Sequence, residues 1–296
     1  MIKLIIFLLS INLFSYQKFY QMDNSKIDKT IKGISKESSI SKKIVNISNL
    51  FINTPYEIDP LGEGNKKPLY SFKGVDCVTF VESVIAASYS DNLISFKDNL
   101  QKIRYRNGEI NYNRRNHIMI SQWIPNNIEN GFIKEITQDL IDNKNIRLKT
   151  IKKEITKKTY NNWKFKKFLK IDGIPIGEYL IKYISIDDFI KYYYKIDIPN
   201  GTIMTIVRKD LNNYPIMISH LGFIVKKNKR YYFRNATRST KFKLVRDAKL
   251  MPYLRFYNSY YKSKKWPIIG IQFFEVIDKK SNKDIKKNIS KIQSRN

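Results

Sequence analysis

The chain has 296 residues, 42% of them hydrophobic and 27% charged, and carries a net charge of +29. That apolar content supports a packed core and excludes an intrinsically disordered polycation. With Cys77 as its one cysteine, an intramolecular disulfide framework is excluded as well.

The chain opens with Met1-Ile2-Lys3 and an apolar run from Leu4 to Phe14, the pattern of an export signal. A run of about eleven residues is too short to span a bilayer. Residues 1–16 are therefore expected to be a signal peptide, the alternative being a buried N-terminal helix. The expected mature chain, 17–296, is a single domain in the periplasm or outside the cell, with no transmembrane span.

Ile27, Ile31, Ile44, Ile47 and Phe51 recur at mostly helical spacings and predict a helical lead-in that ends before Pro55. A loop follows from Tyr56 to Gly74, carrying Pro60-Leu61-Gly62-Glu63-Gly64. A helix is then expected from Cys77 to about Tyr89, with Phe80, Val81, Val84 and Ile85 on its apolar face. Phe96, Leu100 and Ile103 predict a second short helix. Residues 130–178 are rich in Lys, Asn and Ile with a weak period, and read as an insertion over the core.

Ser185-Ile186-Asp187-Asp188 is a helix-start pattern, and Asn200-Gly201 a turn. Beyond it the period changes to two. Strands are expected at 202–208, 219–225, 231–236 and 268–276, with turns at Asn212-Asn213 and Lys227-Asn228. Helices followed by an antiparallel sheet make an α+β fold.

Cys77 lies where a helix begins, in Gly74-Val75-Asp76-Cys77-Val78-Thr79-Phe80-Val81-Glu82. The helix dipole there is expected to lower the thiol pKa and favour a nucleophilic thiolate. The competing reading is a buried packing cysteine. A cysteine nucleophile needs a base and a group to orient that base, and the chain has two histidines. His220, in Ser219-His220-Leu221-Gly222, starts one expected strand, and Asn235 sits on the next. A hairpin would set them side by side. His117, in the basic stretch Arg114-Arg115-Asn116-His117, is the rival base.

Asp76-Cys77-x-Thr79-Phe80-Val81-Glu82 followed by Ser219-His220-Leu221-Gly222 resembles bacterial cell-wall cysteine peptidases of the NlpC type, which have a papain-like fold. More closely, it is similar to an exported bacterial family described as N-acetylmuramoyl-L-alanine amidase-like, long filed as a domain of unknown function. Thr54-Pro55-Tyr56, Pro60-Leu61-Gly62-Glu63-Gly64, Arg104-Tyr105-Arg106, Arg115-Asn116-His117 and Trp123 extend the similarity over about residues 45–275. The resemblance implies Cys77 as nucleophile, His220 as general base and Asn235 as the orienting residue, where the family usually has a histidine before the alanine. It implies Tyr56 beside the nucleophile, and Asp76, Arg104, Arg106, Arg115, His117 and Trp123 about the substrate cleft.

The implied substrate is the peptide stem of peptidoglycan, cut through a thioester at either a γ-D-glutamyl link or the muramoyl–L-alanine amide. The implied protein is a monomer that needs no cofactor. With two histidines, one committed to Cys77, it is a poor zinc protein. No nucleic-acid motif accompanies the charge. The non-enzymatic alternative is a basic wall-binding protein that keeps the fold without activity.

Overall fold

A computed structural model describes residues 17–58, 60–61, 70–161, 175–212 and 214–278. The expected signal segment 1–16, and Gly62-Glu63-Gly64 of the first loop, lie outside the described residues. The helices are α1 (Asn24–Ile34), α2 (Ile40–Leu50), α3 (Cys77–Ser88), α4 (Leu93–Arg104), α5 (Ile124–Glu129), α6 (Lys157–Asn161), α7 (Ile186–Tyr192) and α8 (Leu250–Lys262). The strands are β1 (Ile133–Glu135), β2 (Leu148–Ile155), β3 (Gly177–Ser185), β4 (Ile203–Arg208), β5 (Ile218–Lys227), β6 (Arg230–Ala236), β7 (Val245–Lys249) and β8 (Ile268–Val276). They form one antiparallel sheet in the order β2-β3-β8-β4-β5-β6-β7, with β1 also on β8.

The mixed α+β class agrees with the sequence pattern, with differences of detail. The lead-in expected over 23–51 is two helices, capped by Asp23 and Ser39, whose side chains accept from the backbone of Lys26 and Lys42. The stretch 130–178, read as an insertion, supplies β1 and β2, which pair with β8 and β3. Its Lys/Ile alternation is the period of a half-exposed edge strand, as the burial of Lys153 and Ile155 among exposed lysines shows. The β5–β6 turn expected at Lys227-Asn228 falls at Asn228 and Lys229, both at positive φ.

Both faces of the sheet are covered. Ile203, Val207, Leu221, Phe223 and Val225 face α1–α4, whereas Met204, Ile206, Ile224 and Phe233 face α7 and α8. Within β4 and β5 the alternation between the two faces is the two-residue strand period. Phe80 on α3 meets Phe223 on β5 at 5.7 Å in a T-shaped contact, and Phe51 meets Phe80 likewise at 5.5 Å.

The helix α3 was expected to show solvent one face. It is instead enclosed on all sides, because every residue from Thr79 to Ser88 is buried. Its one acid, Glu82, is 1% exposed and compensated in place. Oε2 accepts from Arg104 Nε at 2.8 Å, and Oε1 from Trp123 Nε1 at 3.1 Å. Asn126 and Asn127 amides add bonds to the Ile103 carbonyl, tying α5 to the end of α4.

Two substitutions test this packing. Glu82→Ala would strand the buried Arg104 guanidinium and is expected to cost about 3–5 kcal/mol in urea unfolding. At Gly222 a Cβ would meet the Arg234 carbonyl at 2.4 Å and Asn235 Cβ at 2.9 Å, whereas at Gly33 it meets nothing within 4 Å. Gly222→Ala is therefore expected to cost about 1–3 kcal/mol. Gly33→Ala, on the exposed side of α1, should be neutral or stabilise by up to about 1 kcal/mol.

Candidate active site

The α3 N-terminus is built by its own residues. Asp76 is the N-cap, with Oδ1 accepting from Thr79 N at 2.7 Å and from Thr79 Oγ1 at 2.9 Å. The Thr79 hydroxyl in turn accepts from Asp76 N at 2.9 Å, closing a capping box. Cys77 therefore occupies the first helical position, held rigidly, and is partly buried. The backbone N–H groups of Leu221, Cys77 and Val78 favour its ionised form. Leu221 is the residue after His220, so the N-terminus of α3 and the start of β5 meet here.

Burial pushes the Cys77 thiol up to about 12, and the neighbouring Asp76 carboxyl adds to the rise. The backbone N–H groups pull the other way without overcoming it. The expectation of a lowered thiol pKa is thus corrected: desolvation outweighs the helix terminus. Burial likewise lowers the His220 pKa, the Asn235 hydrogen bond opposing and the Arg208 charge assisting the fall. At neutral pH the Cys77 thiol and the His220 imidazole are each neutral. Asp76 is itself raised by burial, its Thr79 bonds opposing and Arg115 supplying a smaller stabilising charge.

His220 Nε2 lies 3.0 Å from Asn235 Oδ1, across the β5–β6 pair. Asn235 Nδ2 donates to the Phe233 carbonyl at 3.0 Å, which fixes the amide so that its oxygen faces the ring. An amide oxygen can only accept, so Nε2 carries the proton and Nδ1 is the basic nitrogen. The His220 ring packs edge-on against Phe233 at 5.6 Å. The β4–β5 register shifts here, His220 pairing with Ile206 and Ile218 with Val207, so that Ser219 bulges out.

Tyr56 is brought beside α3 by a parallel bridge to Val75, and its hydroxyl pKa is raised by burial and by the nearby Cys77 and Asp76. Arg115 reaches the Asp76 carboxylate's field from the loop closed by the Tyr105–Arg115 bridge. Arg106 is half-buried, with Nε lacking a hydrogen-bond partner among the described residues. His117 faces its own loop, Nε2 lying 3.0 Å from the Tyr112 carbonyl and its ring 4.8 Å from the Tyr112 ring.

Two expectations are corrected. Arg104 and Trp123, read as cleft walls, are 1% and 0% exposed and are spent on Glu82, so neither presents a face to a ligand. Conversely, the sequence reading missed Tyr253 on α8, whose hydroxyl is raised by burial and by charges that include Cys77. Tyr253 and Asn235 border a cavity of about 570 Å³ that also takes in Phe242, Arg246 and Tyr257. Three tyrosines four residues apart, Tyr253, Tyr257 and Tyr261, were the available signal. Among the described residues no group of three or more His, Cys, Asp or Glu gathers as a metal site. None of their helices is long and apolar enough to cross a membrane.

Known proteins share this architecture. The crystal structure of a Legionella pneumophila protein of family model DUF1460 is 26% identical, with a TM-score of 0.75 over 86% of this chain and 94% of that one. An N-acetylmuramoyl-L-alanine amidase from Bacteroides uniformis shares the fold at 21% identity and a TM-score of 0.63, over 81% of this chain and 99% of that one. A putative xylanase from Bacteroides fragilis does so at 22% and 0.58, over 77% and 99%. A search of curated proteins found no match. The model of the AmiA-like family, described as N-acetylmuramoyl-L-alanine amidase-like, matches residues 46–259, a span that holds Tyr56, Cys77, His220 and Asn235, and the chain belongs to that family.

Proposed function

We propose that the protein is an exported cysteine amidohydrolase that cleaves the amide joining the lactyl group of muramic acid to L-alanine, releasing stem peptides from peptidoglycan. The carrying observation is the His220–Asn235 bond at 3.0 Å, which leaves Nδ1 basic on β5, the strand packed against the helix that Cys77 begins. Family membership and the amidase neighbour from Bacteroides uniformis support this amide over a γ-D-glutamyl link.

Because both partners rest neutral, the thiol gives its proton to His220 Nδ1 as the sulfur attacks the amide carbonyl. The oxyanion is received by the Cys77 N–H and the Tyr56 hydroxyl, which burial keeps protonated. The imidazolium then protonates the leaving amine, and a thioester of the lactyl carboxyl remains on Cys77. His220 next takes a proton from water, which attacks the thioester and frees the acid. Asn235 Oδ1 holds the ring through both transfers. Asp76 and Arg115 border the cleft, and the +29 charge favours an anionic wall, within the limits of salt screening.

Mass spectrometry of muropeptides tests the reading. Wild type should release free tri- and tetrapeptides from the glycan, and Cys77→Ala should lower the rate by at least about 10³-fold. Asn235→Ala should lower it by about 10²-fold, with kcat carrying the loss. Cleavage after D-glutamate would reassign the bond, and identical digests from wild type and Cys77→Ala would leave a wall-binding protein.

The raised thiol pKa carries its own sign. Thiolate is scarce at pH 7, so alkylation of Cys77 by iodoacetamide should quicken by about tenfold per pH unit from 7 to 10. A plateau already reached by pH 7 would mean a resting thiolate–imidazolium pair. Low pH should also slow hydrolysis, because a proton on His220 removes the base; with its pKa depressed, that loss falls below the ordinary 6.5.

A further inference from the structure

Among the described residues three buried arginines tie the fold together, and two of them have carboxylate partners. Arg104 is paired with Glu82, and Arg234 grips Asp247 through Nε at 2.7 Å and Nη2 at 2.9 Å. The third, Arg208 at the end of β4, is 7% exposed and has no carboxylate partner among the described residues. Its guanidinium is nonetheless held in one pose. Nε donates to Ser219 Oγ at 2.8 Å, and Nη1 to the Trp266 carbonyl at 2.8 Å. The Tyr261 ring lies 3.8 Å from its central carbon and the Trp266 ring 5.1 Å away.

Of its five N–H groups, three are left without a bond, and they make up the Nη1–Nη2 end of the fork. A largely buried guanidinium that the fold fixes without a carboxylate, with the free end of its fork still reachable, leaves a place for an anion. The location is next to the candidate site. Ser219 is the bulged residue beside His220, and the Arg208 charge reaches both the His220 ring and the Tyr253 hydroxyl, the latter also within the field of Cys77.

We infer that Arg208, fixed by Ser219 and the Trp266 carbonyl between two aromatic rings, is a specificity residue that receives a free peptide carboxylate of the substrate beside the scissile amide. The inference takes the identity of that substrate from the hydrolase reading above. A planar carboxylate fits the two-nitrogen end of a planar fork. The two bonds and the neighbouring rings keep the fork rigid, so the pairing forms at little cost in side-chain order.

The test compares a soluble muramoyl tripeptide with free carboxylates against the same compound with its carboxylates amidated. Wild type should prefer the free acid by about tenfold to a hundredfold in kcat/KM, the range of a charge-assisted hydrogen bond. Arg208→Gln should abolish that preference mainly through KM, and Arg208→Lys should restore part of it. Equal hydrolysis of both compounds by wild type would overturn the role of Arg208 and leave the hydrolase intact.

Because Arg208 variants carry a folding risk, binding is measured separately on Cys77→Ala by calorimetry with the free and the amidated compound. Tighter binding of the free acid supports the inference even where no turnover occurs, a result that would sink the hydrolase reading alone. Equal binding of the two overturns the inference.

Discussion

The Glu82 carboxylate is the point on which the rest of the site's framework depends. It sits in the middle of the most enclosed helix, five residues beyond Cys77, and bonds to α4 through Arg104 and to the segment before α5 through Trp123. A charge buried this deeply is tolerable only when each oxygen has a partner. Satisfying it therefore dictates where α4 and the 105–123 segment must lie, and that segment brings Arg115 near Asp76. The position of the α3 N-terminus is thus set by a bond made near the middle of the helix.

Desolvation governs the chemistry of the cleft. It raises Cys77, Asp76, Tyr56 and Tyr253 and lowers His220, in each case favouring the neutral form. A helix terminus and three backbone N–H groups do not reverse this at the sulfur. Among the described residues Arg208 is the buried cation near this site that lacks a carboxylate partner. The contrast with Arg104 and Arg234, whose carboxylates come from the protein itself, is what sets Arg208 apart.

Much of the framework was legible because local rules and tertiary packing agree. The strands β4, β5, β6 and β8 alternate between two buried faces, and α3 and α4 start at Asp76 and Asn92 caps. The hairpin distance between His220 and Asn235 follows from strand pairing alone. By contrast, β2 hides its period among lysines, and Lys153 is buried only because Asp210 meets it from a distant loop. Arg104 and Trp123 looked like surface recognition residues because guanidinium and indole groups serve both roles. Their burial follows from a glutamate 22 and 41 residues away.

The sequence by itself determined the helix start that carries Cys77, the strand that carries His220 and the pairing that offers Asn235, since caps, period and turn residues are local. It also carried the family resemblance in its motifs. Only the tertiary structure decided the electrostatics: that the thiol is neutral at rest, that Glu82 is a structural anchor, and that Arg208 has no counter-ion among the described residues. Those properties depend on how much water each group loses and which charges come within a few ångströms, and both are set by residues far apart along the chain.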